Sequence, residues 1–254
     1  MSELVSFLES TGLLNIDWRD AIMLAVGLVL VFLAITKQWE PYELLPIGLG
    51  ILIVNLPLTG IAISPSESGG TQGAGIFGVI FHYGLSFWNI LPPIIFLGIG
   101  ALTDFGPLIS NPKTLLLGAA AQVGIFVAFW GALGLNVFVP DTFSLGEAAS
   151  IGIIGGADGP TTIFLSANLA PDILGITAVI AYTYMAAVPF IQPPIMKLLT
   201  TKKERSIVMK PVREVSKTEK MIFPIIALII ILLVVPRAAP LISMLVVGNI
   251  FKES

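Results

Sequence analysis

The sequence predicts an all-α, multi-pass membrane protein built around a broken, re-entrant pair of short helices. Two observations carry this reading. Of the 254 residues, 56% are hydrophobic and only 11% charged, with a mean hydropathy of +0.95, whereas about a quarter of an ordinary soluble domain is charged. Residues 151–168, IGIIGGADGPTTIFLSAN, then place one carboxylate, Asp158, in a glycine- and proline-broken stretch that is otherwise apolar enough for a bilayer. The chain has no cysteine and a single histidine, His82. Disulfides, thiolate chemistry and His-rich metal sites are therefore excluded.

Four segments are expected: a surface stretch over 1–19, a first membrane half over 20–199, a basic loop over 200–220 and a further membrane stretch over 221–254. Residues 2–14, with Leu4, Val5, Leu8, Leu13 and Leu14 on a partly polar background, read as an amphipathic surface helix. Glu3, Glu9 and Asp17 and the lack of a basic start argue against a cleaved signal, so the first membrane helix should direct insertion. Spanning the hydrocarbon takes about 20 apolar residues. The candidates are 20–36, 42–57, 90–104, 114–139, 173–199 and 221–236, while 74–89, interrupted by His82, Ser86 and Asn89, either spans or lies flat.

Eight of the 13 Lys and Arg lie between Lys197 and Lys220, and basic loops stay in the cytoplasm. The 173–199 helix then runs inward. Lys113 places its loop inside too, which puts Asp141 and Asp172 outside. With both its ends outside, 142–171 cannot cross once, and the GGADGP break lets it enter and return. Lys37 inside places the N-terminus outside.

An ionised carboxylate near the bilayer centre costs about 2.5–3.5 kcal/mol on insertion scales, so it normally faces a cavity and pairs with a cation or a proton. Asp158 is the coupling-ion candidate. Irregular backbone at this depth is tolerated only against protein or water. Gly155, Gly156 and Gly159 can adopt left-handed angles that free carbonyl oxygens, and Pro160 fits the first turn of a new half-helix. Na⁺ is a hard cation suited to oxygen ligands. Asp158 with the Gly155, Gly156 and Gly159 carbonyls and the Thr161 and Thr162 hydroxyls forms the kind of set that broken-helix transporters use. In a soluble protein the same string is an ordinary turn; its membrane flanks favour an ion site.

Other polar residues have two readings each. Tyr182 and Tyr184 lie mid-membrane, away from the aromatic belt: either each makes a structural hydrogen bond, or one hydroxyl meets Asp158 or relays a proton. Gln192 before Pro193 and Pro194 marks a second kink, explained by packing or by ligation. Asp104 reads as a cap or loop residue, Gln122 and Glu147 as interhelical contacts or parts of a water path, and His82 as a satisfied interfacial residue. The basic loop is topogenic and lipid-attracted, or it docks a cytoplasmic partner through Lys202, Lys203 and Arg205.

GGADGPTTIFLSANLAPDILG, followed by AYTYMAAVPFIQPPIMKLLTTKKER and preceded by FLGIGALTDFGPLISNPKTLLLGAAAQ, resembles the β subunit of the sodium-translocating biotin-dependent decarboxylases, which act on oxaloacetate, methylmalonyl-CoA or glutaconyl-CoA. The resemblance runs from about residue 20 to the chain end. It implies a carboxybiotin decarboxylase step coupled to Na⁺ export and proton consumption. It further implies a biotin carrier and carboxyltransferase α subunit, a small γ or δ membrane subunit, oligomeric assembly and the inner membrane of a bacterium or archaeon, with no nucleic-acid partner. Asp158 matches the family's essential aspartate and Tyr184 the tyrosine implicated in the same path. Carboxybiotin, presented by a partner, and Na⁺ are the implied cofactors. Family chains continue into a second, inverted membrane half, and here PLISMLVVGNIFKES ends the sequence; the expectation is a partial member holding the first half of an inverted-repeat, transporter-like fold. The alternative from a different class is a secondary Na⁺-coupled carboxylate transporter without decarboxylase chemistry.

Overall fold

In the computed structural model the described residues are 7, 9–208 and 213–254. All regular structure among them is helical. Most of the surface helix expected over 2–14 falls outside the described residues; Gly12–Asn15 form a 3-10 turn. The chain divides into two compact units, one of residues 1–87 and 186–194, the other of 88–185 and 195–254.

In the first unit, α1 (Trp18–Thr36) starts at a capping box in which Asp17 and Asp20 exchange bonds with each other's backbone. It packs against α2 (Pro41–Val54). The seam is set by Gly27 and Gly48, because a Cβ on either would sit about 3 Å from the other's carbonyl oxygen. A short helix, α3 (Ile76–Phe81), runs into a π turn, His82–Phe87. There His82 packs edge-on against Tyr83, with ring centroids 4.9 Å apart.

The second unit holds α4 (Leu91–Leu102), α5 (Gly106–Ser110), α6 (Leu115–Phe138), α7 (Leu145–Ile154), α8 (Gly159–Leu169) and most of α9 (Leu174–Ala186). It also holds α11 (Lys202–Arg205), α12 (Lys217–Val234) and α13 (Ala239–Glu253); α10 (Val188–Leu199) joins them in sequence. The 173–199 stretch is therefore two helices, and its break falls at Ala187; Pro193 and Pro194 lie inside α10. Helices α1 and the stretch Pro112–Phe138 are each long and apolar enough to cross a membrane alone. Ile76–Phe87 with Leu91–Leu102, and Pro171–Ala186 with Val188–Leu199, meet that test as pairs.

The most extensive seam is α4 against α13. Glycine makes it possible: a Cβ on Gly100 would lie 2.0 Å from the Leu245 carbonyl oxygen, and one on Gly248 2.0 Å from that of Leu97. Small residues let backbones approach in membrane helices. Asn249, 1% exposed, donates through Nδ2 to the carbonyls of Gly100 at 3.2 Å and Thr103 at 2.8 Å. Lys252 adds a bond to the Thr103 carbonyl. Two carbonyls at the end of α4 thus take bonds from α13. Asp104, in the turn after α4, accepts from the Gly106 N–H at 2.9 Å and from Lys220 Nζ at 3.0 Å, the loop role expected for it. Those two donors, the backbone one first, lower its pKa.

Helices α7 and α8 fold back on each other. A Cβ on Gly146, at the start of α7, would meet the carbonyl oxygen of Leu169, at the end of α8, at 2.4 Å. At about 1.5 Å per residue each helix covers roughly half the hydrocarbon thickness. Asn136 fixes the entry to this pair, donating to the Phe143 carbonyl and accepting from its N–H.

Candidate functional site

The break between α7 and α8 is built by successive tight turns. The N–H groups of Gly155, Gly156 and Ala157 donate to the carbonyls three residues back, at 3.0 Å each, so α7 tightens into a 3-10 exit. Gly155 has ordinary right-handed angles (φ −60°), and the left-handed residue is Ala157 at φ 53°. The expectation that Gly155, Gly156 and Gly159 supply left-handed angles is thus corrected. Glycine leaves room for close neighbours at these positions. A Cβ on Gly155 would lie 2.8 Å from the Gly124 carbonyl oxygen of α6, one on Gly156 3.0 Å from Ile125 Cδ1, and one on Gly159 2.9 Å from the Tyr182 ring.

Asp158 is the N-cap of α8, with extended backbone angles, and Gly159 and Pro160 open the helix as expected. Its Oδ1 accepts from the Thr161 N–H at 3.2 Å and its Oδ2 from the Thr161 hydroxyl at 2.6 Å. Its backbone carbonyl takes the Thr162 hydroxyl at 2.8 Å. The carboxylate therefore sits at the positive end of the α8 dipole, with each oxygen holding one donor and keeping lone pairs for another partner. Thr162 is fully buried.

Asp158, Gly159 and Thr161 are brought together with Tyr182, whose ring lies over Gly159. Tyr184 is 36% exposed. Two residues along a helix amount to about 200° of rotation, so Tyr184 projects from the face of α9 opposite Tyr182. Glu147 belongs to a capping box with Ser144 at the start of α7, a contact within its own helix rather than the interhelical one expected. Gln122 is exposed on α6.

Among the described residues no three His, Asp or Glu side chains converge on one point. A lone carboxylate holding only the Thr161 N–H and hydroxyl on its oxygens carries a single negative charge. It suits one hard monovalent cation or one proton, in competition, rather than a divalent ion, which takes more oxygen ligands and more charge.

The model of the Na⁺-transporting oxaloacetate decarboxylase beta subunit matches residues 19–254. The chain belongs to that family. It is 50% identical to a methylmalonyl-CoA decarboxylase subunit beta of Propionigenium modestum over 266 aligned positions, covering 100% of this chain and 66% of the relative. It is 49% identical to a glutaconyl-CoA decarboxylase subunit beta of Acidaminococcus fermentans, covering 99% and 62%. It is 45% identical to an oxaloacetate decarboxylase beta chain of Klebsiella pneumoniae, covering 100% and 69%. The chain thus spans about two thirds of the length of these relatives.

Proposed function

We propose that this chain contributes the membrane part of a biotin-dependent decarboxylase, in which loss of CO₂ from carboxybiotin is coupled to Na⁺ export, and that Asp158 exchanges Na⁺ for a proton. The observation that carries the reading is a single carboxylate at the broken tip of the α7–α8 pair, held by Thr161 on both oxygens. The names of its relatives support this class over a secondary carboxylate transporter.

The chemistry balances simply. In carboxybiotin the N–C bond breaks, CO₂ leaves, and the electron pair remaining on the ureido nitrogen takes one proton. Moving the anionic group to a less polar site favours this step without a metal or nucleophile. A proton released by Asp158 when Na⁺ binds is available for that nitrogen. The Gly155, Gly156 and Gly159 carbonyls and the Thr161 hydroxyl complete the Na⁺ shell, and Tyr184 acts in the proton path from the α9 face opposite Tyr182.

The close approach of Gly146 to Leu169 supports a re-entrant placement with both ends on one side of the membrane. The partners in this reading are a biotin carrier, a carboxyltransferase and a small membrane subunit in an oligomeric complex of a prokaryotic inner membrane.

The test is Na⁺ dependence of carboxybiotin decarboxylation and of ²²Na⁺ uptake by the holo-complex in proteoliposomes, comparing wild type with Asp158→Asn. The expected result is assembly with loss of both Na⁺ responses. Wild-type pumping by Asp158→Asn would overturn Asp158's role. Na⁺-driven carboxylate uptake without CO₂ release would overturn the decarboxylase reading.

A further inference from the structure

Ser150 on α7 and Ser166 on α8 are both 0% exposed, and neither hydroxyl has a hydrogen-bond partner. This is unusual within the molecule. Thr36, Thr103, Thr162 and Thr177 each donate to the carbonyl four residues back, the ordinary way a helical hydroxyl satisfies itself. Ser150 and Ser166 do not use that acceptor.

Their positions in the α7–α8 pair are related. The contact of Gly146 with Leu169 fixes the antiparallel register, and four residues on from Gly146 comes Ser150, on the same face of α7. Three residues back from Leu169 comes Ser166, on the face of α8 that meets α7. The two hydroxyls therefore stand at one level on facing helices. Ser166 also lies in line with Thr162 and Asp158 at intervals of four residues, and eight residues of helix separate it from Asp158 by about 12 Å.

We propose that the Ser150 and Ser166 hydroxyls form a second, uncharged stop for the transported Na⁺, about 12 Å along α8 from Asp158. The proposal rests on the Na⁺-translocating reading above and adds a route to it. Two buried hydroxyls without partners disfavour a dry helix seam, since an unsatisfied polar group there costs free energy. Their oxygens are hard donors able to replace part of a hydration shell. Carrying no charge, they hold Na⁺ weakly enough to release it, which passage along several sites requires.

The test uses the holo-complex in proteoliposomes with Ser150→Ala/Ser166→Ala and, separately, Ser150→Cys/Ser166→Cys, in which a soft sulfur replaces each oxygen. Both double variants should lower ²²Na⁺ uptake at saturating Na⁺ about tenfold, with melting temperatures equal to or above wild type. Hydroxyls of purely structural role predict otherwise, because replacing an unpartnered polar group by an apolar one leaves function unchanged. If either double variant melts like wild type and takes up ²²Na⁺ within twofold of the wild-type rate, the second stop is overturned. Absence of Na⁺ uptake by wild type would overturn the underlying function instead, and is read from wild type alone.

Discussion

Thr161 donates its backbone N–H to one carboxylate oxygen of Asp158 and its hydroxyl to the other, at 3.2 and 2.6 Å. One residue thereby orients the whole carboxylate. The same bonds cap α8, so charge and capping have to be separated experimentally. Asn caps a helix about as well as Asp; Asp158→Asn should therefore melt close to wild type while abolishing Na⁺ dependence. Thr161→Val keeps the backbone donor and removes the hydroxyl. A hydrogen bond to a charged group contributes about 1.5–3 kcal/mol, so the Na⁺ half-saturation of this variant should shift by about tenfold or more. An unchanged Na⁺ titration would separate Thr161 from the ion site.

Gly159 leaves room for the Tyr182 ring, which an added Cβ would meet at 2.9 Å. Overpacking of this kind costs about 1–3 kcal/mol. Gly159→Ala should lower the melting temperature in wild type and have little effect in a Tyr182→Ala background. Additive effects of the two substitutions would show that the contact does not govern the tip.

The α4–α13 seam gives a sharper contrast. Gly248→Ala would drive a methyl into the Leu97 carbonyl, whereas a Cβ at Gly98, on the same helix as Leu97, meets nothing within 4 Å. The first should destabilise by several kcal/mol and the second stabilise by about 0.5–1 kcal/mol through helix propensity. Asn249→Leu should cost about 1–3 kcal/mol by removing its two bonds to the Gly100 and Thr103 carbonyls. Thermal melts of the three variants rank these effects.

Glu219, in the first turn of α12, accepts a two-pronged bond from Arg213 at 2.6 and 3.1 Å and further bonds from the Ser216 N–H and hydroxyl. The Arg213 bonds first, then Ser216, hold its pKa at about 2 against an ordinary value of 4.5. Since the folded value is the lower one, its contribution to stability is complete above pH 4.5 and is lost as pH falls toward 2. Amide exchange at the start of α12 should accelerate across that window, and Arg213→Gln should flatten the response.

Within the basic segment, Lys202 and Lys203 are exposed on α11, while Arg205 donates to the Thr200 carbonyl and hydroxyl. If this loop docks a cytoplasmic partner, Lys202→Glu/Lys203→Glu should reduce recovery of the complex without changing membrane insertion. Equal recovery would leave the loop a topogenic role alone.

The membrane class, the extents of α1, α4, α6 and α12 to within a few residues, and Asp158 as the candidate ion group were legible in the sequence. Apolar runs of set length and a lone carboxylate among them are one-dimensional signals, fixed by the cost of placing backbone and charge in hydrocarbon. Tertiary structure decided what depends on the distance between elements. Gly155 and Gly159 serve close approach to Gly124 and Tyr182, the left-handed turn falls on Ala157, and the 173–199 stretch breaks at Ala187. The reason is that a glycine carries the same letter whether it provides torsional freedom or space. Only the neighbour brought against it from another helix distinguishes the two.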